Sequence, residues 1–240
     1  MLRFSLFAIA VAIFATMTPS ANALRHALES RYQHATTLRA AFYQRYDDGK
    51  GGGQAESGTV YFSRPGRMRW EYESPEQKLF LVDGKNVWFY VPADHTASRA
   101  KMKESSDWRT PIALLAGKAD LGKLCRSLEV VDASAAGAPL NGKPNDKPNE
   151  KPLSPADSVL RCTPRDSTGA MGEEIRDVVL EMDPEAHLVR VLIHEPGNLE
   201  TEFRFGNWQE NIPIPEDKFH FSPPQGVAVV DEDKLADQVR

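Results

Sequence analysis

Residues 64–91 read RPGRMRWEYESPEQKLFLVDGKNVWFYV, and this stretch decides the fold class. Met68, Trp70 and Tyr72 alternate with charged residues, which is the period-two pattern of a β-strand with one apolar face. Two apolar runs then flank an Asp-Gly pair that is typical of a tight hairpin turn. Because both runs are apolar on both faces, we expect these strands to lie centrally in a sheet, covered on one side and lining a space on the other.

Further strands are predicted on the C-terminal side of this stretch. Segments 175–183, 187–195 and 199–207 have the pattern of a meander, with turns around Pro184 and Gly197. Shorter strands are predicted at 126–132, 159–164 and 219–221, the last of them in the tail. The pattern as a whole amounts to about ten antiparallel strands.

Two helices complete the set of predicted elements. From residue 24 to about residue 46, apolar residues recur at spacings of three and four, which predicts one long amphipathic helix. The glycine-rich residues 49–53 would end it. A short helix is predicted at 110–116, where a Thr-Pro pair provides a favourable start. Apolar side chains nearly encircle this short helix, which fits either burial in the core or a mobile apolar lid.

These elements predict an α+β fold that is mainly β. An open, strongly curved antiparallel sheet with helices packed across it is the simplest way to bury this much apolar surface. Residues 133–157 interrupt the pattern, because their Pro, Asn, Lys, Gly, Ala and Ser cannot bury enough apolar surface to order themselves. We therefore predict a single domain over residues 24–240 with a flexible insertion at about 133–157.

The N-terminal residues have the three parts of a secretory signal peptide. A short basic start precedes an apolar run at 4–17, and Ala21 and Ala23 form an A-x-A cleavage site, so residues 1–23 are predicted to be removed. The run is shorter than the roughly 18 to 20 residues that span a bilayer, which disfavours the alternative of a retained anchor. No Cys follows the run for lipid attachment. We expect a soluble protein of the bacterial periplasm.

Cys125 and Cys162 are the two cysteines of the chain. They flank the base of the predicted insertion, where neighbouring antiparallel strands would place them within bridging reach. An even count in an exported chain favours one disulfide over two buried free thiols. Neither belongs to a C-x-x-C pair, so a redox-active role is not predicted.

No catalytic or metal-binding constellation is recognisable in the sequence. It contains no G-x-S-x-G motif, no Gly-rich phosphate loop and no H-E-x-x-H motif. His187 and His194 lie an odd number of residues apart on one predicted strand, so they point to opposite faces and cannot share a metal. The formal net charge of −5 gives no basic surface for nucleic acid or anionic membranes. We therefore predict no enzyme activity, no metal and no cofactor.

Arg64 is the residue of the aromatic region that a packed core explains least well. Most aromatic side chains between residues 62 and 90 are accounted for as core. Arg64 lies at the end of one strand, immediately before the turn into the most aromatic strand. Its guanidinium has five donors and can bridge backbone carbonyl groups of another element, so at a cavity rim it would hold a helix closed. A plain surface arginine is the alternative interpretation.

Several motifs resemble the periplasmic lipoprotein carriers of the Lol sorting system. The resemblance comprises R-P-x-x-x-x-W at 64–70, D-G-x-x-x-W-x-Y at 83–90 and T-P-I-A-L-L at 110–115. Phe42, Gln44, Gly58 and residues 221–227 are similar to the same family. The two cysteines and the Lys-Pro-rich insertion are not part of this pattern.

The resemblance implies an incomplete β-barrel whose apolar cavity is capped by helices. A carrier of this family accepts acylated lipoproteins from an inner-membrane ABC transporter and hands them to an outer-membrane acceptor. Arg64 matches the arginine that holds the lid helix, and Met68 takes a position where the family commonly has an aromatic residue. The implied lipid-cavity and lid residues are Arg64, Met68, Trp70, Trp88, Tyr90, Leu114 and Leu115.

A regulatory sensor is the alternative function. Related open barrels detect mislocalised lipoproteins and regulate an envelope-stress pathway, but they usually add a second C-terminal domain that residues 24–240 do not accommodate. An exported hydrolase is disfavoured because the chain lacks a catalytic constellation. The sequence therefore favours a monomeric periplasmic carrier that shields the acyl chains of lipoproteins.

Overall fold

The computed structural model describes residues 19–50, 52–101, 120–131, 154–165 and 175–231. Residues 1–18 of the predicted signal peptide, the predicted helix at 110–116 and most of the predicted insertion lie outside the described residues. The described chain forms one twelve-stranded sheet with helix α1 (Ala21–His34) and the short helix α2 (Leu121–Leu124). No helix in these described ranges is long and apolar enough to cross a membrane.

Most strands follow one another along the chain with short connections where the chain is described, whereas residues 211–227 separate the last two strands. They are β1 (Thr37–Asp47), β2 (Gly53–Ser63), β3 (Arg67–Ser74), β4 (Lys78–Val82), β5 (Asn86–Val91), β6 (Thr96–Lys101), β7 (Cys125–Val131), β8 (Ser158–Pro164), β9 (Asp177–Met182), β10 (Leu188–His194), β11 (Glu200–Glu210) and β12 (Ala228–Asp231). Two 3₁₀ turns lie at Pro196–Asn198 and Glu216–Phe219.

The sheet is open, curved and almost entirely antiparallel. Its strand order is β12-β6-β5-β4-β3-β2-β1-β11-β10-β9-β8-β7, and the parallel pair is β12 with β6. Within the described part of the chain, the edge strands β12 and β7 do not pair with each other. The predicted mainly-β fold with an open antiparallel sheet is confirmed, with twelve strands instead of about ten.

The predicted long helix at 24–46 is wrong in its second half. Helix α1 ends at His34, and β1 follows between β2 and β11. Leu38, Ala40 and Phe42 are buried while Ala41 is exposed, so burial has the period two of a strand. The same apolar residues also fit a helical spacing. Pairing with two neighbouring strands decided between the patterns, since tertiary contacts override local propensity.

The predicted strand at 219–221 is also wrong. The chain makes a 3₁₀ turn at Glu216–Phe219 and continues without strand pairing until β12. Phe219 is buried in a cluster with Leu79, Leu81 and Trp88. Its apolar side chain therefore packs against the sheet, although its backbone is not part of a strand. Strand β6 was not predicted, because its residues lack an apolar alternation.

The predicted hairpin and meander are both confirmed. β4 and β5 pair across a turn in which Asp83 Oδ1 accepts a hydrogen bond from the Asn86 amide at 2.7 Å. Gly84 has φ +95°, a left-handed conformation that favours glycine. β9, β10 and β11 are consecutive neighbours in the sheet, as the three segments of the meander predict.

Helix α1 lies across one face of the sheet, which we call the inner face. Leu28 and Tyr32 of α1 belong to the same buried cluster as Leu38 of β1 and Leu160 of β8. The Tyr32 hydroxyl accepts a hydrogen bond from the Leu188 amide at 2.8 Å. The helix contacts β7 and β8, so it covers the half of the inner face that the later strands form.

The opposite, outer face carries a buried network of charged side chains on β1, β9, β10 and β11. Arg190 Nε lies 2.6 Å from Glu181 Oε2, and both side chains are almost completely buried. Arg45 Nε donates to Glu202 Oε2 at 3.1 Å. Each pair joins two neighbouring strands, so these ion pairs bind the strands on the side away from α1. Removing one partner of such a pair would leave an uncompensated buried charge.

His194 extends this network across three strands. Its Nδ1 lies 2.8 Å from Asp177 Oδ1 on β9, and its Nε2 lies 3.3 Å from Glu200 Oε2 on β11. Burial would lower the pKa of His194, but the hydrogen bonds to Asp177 and Glu200 raise it to about 9. The imidazole is therefore protonated at neutral pH and donates from both nitrogens.

This protonation predicts a loss of stability at alkaline pH. The folded-state pKa of His194 lies above its ordinary value of 6.5, so its stabilisation is complete below pH 6.5 and is lost as the pH rises toward 9. The free energy of unfolding should fall by up to about 3 kcal/mol across this window. Urea denaturation at several pH values measures it.

The variant His194→Gln isolates this effect from other titrating groups. It should be less stable at pH 6.5 and should lose the additional pH dependence between pH 6.5 and 9. The control His26→Gln removes an exposed histidine of α1 and should keep the native pH profile. An unchanged profile in His194→Gln would show that the histidine is not the titrating group.

Candidate functional site

Two rows of apolar side chains cross the inner face from β1 to β5. One row contains Leu38, Phe62, Met68, Val82 and Val87, and the next contains Ala40, Val60, Trp70, Phe80 and Phe89. Exposure increases along the second row, because Trp70 is buried, Phe80 is half-buried and Phe89 is 41% exposed. The β4–β5 end of the inner face therefore presents apolar surface to solvent.

Trp70 is the centre of the aromatic packing beneath this surface. Its ring centroid lies 4.7 Å from that of Phe42, 5.7 Å from Phe203 and 6.1 Å from Phe205. Its side chain is 1% exposed, and its indole Nε1 is buried without a hydrogen bond to any described residue. Trp70 therefore supports the apolar surface from below, while its neighbours Met68 and Phe80 form the more accessible part.

The structure does not bring Trp88 and Tyr90 together with Met68 and Trp70. Register places Phe89, between them on β5, on the inner face, so Trp88 and Tyr90 project from the outer face. There their rings lie 5.4 Å and 5.1 Å from the ring of Phe221. The two residues hold the C-terminal segment against the sheet. Sequence reasoning missed Phe89 because the run 87–91 is apolar at every position, so only the register with β4 shows which residues face inward.

Arg64 lies in the turn between β2 and β3, as predicted. Its backbone amide donates to the Thr36 carbonyl at 3.0 Å, which fixes the turn beside the end of α1. Its side-chain Nε and Nη2 are buried but form no hydrogen bond with any residue in the described ranges. Burial lowers the pKa of Arg64, yet a guanidinium stays charged at any physiological pH. Two buried guanidinium donors without acceptors are costly, so they favour acceptors brought by another element.

Comparisons with known proteins identify the family. The family model described as "Outer membrane lipoprotein carrier protein LolA" matches residues 33–150. A Chromobacterium violaceum protein named outer-membrane lipoprotein carrier protein is 31% identical over 230 residues, covering 93% of this chain and 96% of that protein. This chain belongs to the LolA family of lipoprotein carriers.

Two further comparisons concern the sequence and the fold. An outer-membrane lipoprotein carrier protein of Nitrosospira multiformis is 29% identical over 209 residues, covering 85% of this chain and 87% of that protein. The crystal structure of an uncharacterized conserved protein from Thermus thermophilus has a similar fold, with a TM-score of 0.51 and 11% identity. It covers 88% of this chain and 98% of that chain. The resemblance of the sequence motifs to the Lol carriers is confirmed.

The predicted lid residues Leu114 and Leu115 lie outside the described residues, but the chain that follows them is described. α2 begins after Asp120, and the carboxylate of Glu29 on α1 accepts a hydrogen bond from the Leu121 amide at 2.8 Å. One residue after α2, Cys125 forms a disulfide with Cys162, with 5.4 Å between the Cα atoms. The predicted disulfide is confirmed. The disulfide ties β7 to β8 at Cys125, shortly after the segment that contains the predicted lid.

One group of three side chains among the described residues has the spacing of a metal site. Asp183, Glu185 and His187 lie together in the turn between β9 and β10. The guanidinium of Arg31 on α1 lies beside these three side chains. It contacts His187 Nε2 and donates a hydrogen bond to the Glu185 carbonyl oxygen at 2.7 Å. A guanidinium in contact with the imidazole disfavours a second cation, so the group is explained as a link between α1 and the sheet.

Gly58 is one of the residues by which the sequence resembles this family, and the fold explains why it is glycine. It lies opposite both Phe42 and Tyr72, whose ring centroids are 5.0 Å apart. A Cβ atom at Gly58 would lie 1.9 Å from the Glu71 carbonyl oxygen, at the bulge where the register of β2 and β3 shifts. The close approach of β3 at this position therefore excludes every side chain.

Gly58→Ala should lower the free energy of unfolding by about 2 to 3 kcal/mol, because the backbone of β3 must move. Gly206→Ala is the matched control, since it lies in β11 on the other side of β1 and a Cβ atom there meets nothing within 4 Å. The control should be neutral or slightly stabilising, because Ala loses less backbone entropy than Gly. Equal stability of both variants in urea denaturation would contradict the close approach.

Proposed function

We propose that this protein carries acylated lipoproteins through the periplasm, from the inner membrane to the outer membrane. The observation that carries the proposal is the apolar inner face, whose second row leads from the buried Trp70 to the exposed Phe89. Family membership supports it, because relatives at 29% and 31% identity are named for this activity. The protein acts as a non-enzymatic, monomeric chaperone that reaches the periplasm through a cleaved signal peptide.

Acyl chains need such a carrier for a physical reason. At ~0.8 kcal/mol per CH₂ group, moving two long acyl chains into water costs more than the roughly 20 kcal/mol that the tightest non-covalent complexes supply. A carrier must therefore bury the chains and still release them. In this protein, Met68, Phe80, Val87 and Phe89 form the surface that contacts the chains. Trp70 supports that surface, whereas Trp88 and Tyr90 anchor the C-terminal segment on the other side of the sheet.

Release requires that the closed, empty state be stable enough to compete with the bound state. Arg64 supplies this stability in our proposal. Its Nε and Nη2 are buried without a hydrogen bond to any described residue, so they are available to backbone carbonyl groups that a closing lid at Leu114 and Leu115 would bring. Cargo that enters the apolar face displaces the lid and breaks these hydrogen bonds. An inner-membrane ABC transporter provides the energy for loading, and an outer-membrane acceptor with higher affinity takes the cargo.

The apolar inner face is tested by placing a charge on it. Phe89→Glu should weaken binding of a tri-acylated cysteinyl lipopeptide by at least tenfold, because the carboxylate must be desolvated against the acyl chains. Fluorescence titration of the purified protein measures the affinity. The matched control is Tyr43→Glu, since Tyr43 is 38% exposed on the outer face and Phe89 is 41% exposed on the inner face.

The control should bind the lipopeptide like the native protein, and both variants should retain the native thermal transition. Equal binding by Phe89→Glu and the native protein would place the lipid site elsewhere. Failure of the native protein to bind the lipopeptide would contradict the proposed function as a whole.

The latch is tested by Arg64→Leu. This variant should load cargo and then transfer it to outer-membrane vesicles about tenfold more slowly, because the closed state that drives release has lost its hydrogen bonds. Transfer of a fluorescent lipopeptide over time measures the rate. Arg126→Leu removes an exposed arginine of β7 and should transfer at the native rate. A native rate in Arg64→Leu would show that Arg64 does not hold the lid.

A further inference from the structure

A polar row lies next to the two apolar rows on the inner face. Gln44 of β1, Glu56 of β2, Tyr72 of β3 and Lys78 of β4 all project from this face, and we call these four residues the polar row. Tyr72 and Lys78 lie two residues beyond Trp70 and Phe80. Gln44 and Glu56 lie one register step farther out, beyond the pair of Phe42 and Gly58. Gln44 is paired with Glu56 in the register, and Tyr72 is paired with Lys78. The apolar surface therefore ends in a line of hydrogen-bonding groups toward the end of the sheet at which β1 and β3 finish.

The side chains of this row contact each other in two pairs. The Tyr72 hydroxyl donates to Gln44 Oε1 at 3.0 Å, and Lys78 Nζ lies 2.5 Å from Glu56 Oε1. Burial raises the pKa of Tyr72, so its hydroxyl keeps its proton. The side-chain amide nitrogen of Gln44 donates to no residue in the described part of the chain. The row thus offers the neutral amide group of Gln44 as a donor, beside an ammonium group whose charge is compensated by Glu56.

The charge of the row determines which polar groups it accepts. A second carboxylate, that of Glu76, lies 3.8 Å from Lys78 Nζ, so two carboxylates surround one ammonium group. Both Lys78 and Glu56 are about one-fifth exposed, which limits screening by solvent. An anionic group such as a phosphate or a fatty-acid carboxylate would be repelled by the excess negative charge. Neutral carbonyl acceptors would meet the amide donors of Gln44 without this penalty, while the Tyr72 hydroxyl fixes the orientation of that amide.

We infer that this polar row binds the ester and amide carbonyl groups of the acylated cysteine at the end of a lipoprotein, while its acyl chains lie on the apolar rows. This inference rests on the proposed function. Ester and amide carbonyls buried without hydrogen bonds would each cost free energy, and the row lies where the chains leave the apolar surface. It selects a diacylglyceryl cysteine anchor over an anionic phospholipid, although both carry ester-linked chains.

The test compares two ligands on matched proteins. One ligand is a tri-acylated cysteinyl lipopeptide, and the other is its ether analogue, which lacks the ester carbonyl groups. The double variant Gln44→Leu/Tyr72→Phe removes both hydrogen-bonding partners together, so neither is left unpaired, and the ring of residue 72 still packs on Phe42. The outer-face variant Tyr43→Phe is the control for loss of a tyrosine hydroxyl.

The native protein should bind the ester lipopeptide about tenfold more tightly than the ether analogue. The double variant should lose this preference, with ether binding unchanged, and the control should keep it. Phosphatidylglycerol should bind the native protein more weakly than the lipopeptide. Either tighter binding of phosphatidylglycerol or a native preference in the double variant would overturn the inference.

A further outcome separates a structural role from recognition. If the double variant lost affinity for the ester and ether ligands equally, the row would only maintain the sheet, and the inference would be wrong while the proposed function stood. If the native protein bound neither lipopeptide, the proposed function itself would fail.

Discussion

Pairing of β1 with both β2 and β11 holds the two halves of the sheet together. Strands β2 to β6 extend from one side of β1, and β11 to β7 extend from the other. The two pairings also fix which residues of each strand face α1, because a slip of one residue would exchange the two faces. Leu38, Ala40 and Phe42 are buried on the inner face for this reason. The successive strand pairings from β1 to β5 place Phe89 on the same face.

The two faces then serve different physical purposes. The outer face between β8 and β1 is stabilised by buried ion pairs such as Arg190 with Glu181, and farther along the sheet by the packing of Phe219 and Phe221. These interactions hold neighbouring strands and the C-terminal segment without using the inner face. Two rows of the inner face from β1 to β5 are apolar, and α1 contacts the half of this face that the later strands form. Because contacts on the outer face hold the strands together, the inner face can expose apolar surface. A carrier of acyl chains requires such a surface.

Much of the fold and part of the site could be predicted from local sequence patterns. The hairpin around Asp83 and Gly84, the meander from β9 to β11 and the disulfide all depend on residues that are near in sequence or that flank one segment. The place of Arg64 at a turn was readable in the same way, as was the membership of Met68 and Trp70 on one strand face. The helical interpretation of residues 37–46 failed because their apolar spacing fits two periods, and a distant strand, β11, decided between them.

The sequence by itself therefore indicated a mainly-β chain of the lipoprotein carrier family with no recognisable catalytic motif, and it predicted export. Only the tertiary structure decided which side chains share a surface. It separated Trp88 and Tyr90 from Trp70, and it joined Gln44, Glu56, Tyr72 and Lys78 from four strands into one row. The physical reason is that the sequence of a strand with apolar residues on both faces does not show which of its residues face inward. Its orientation comes from hydrogen bonds to its neighbours.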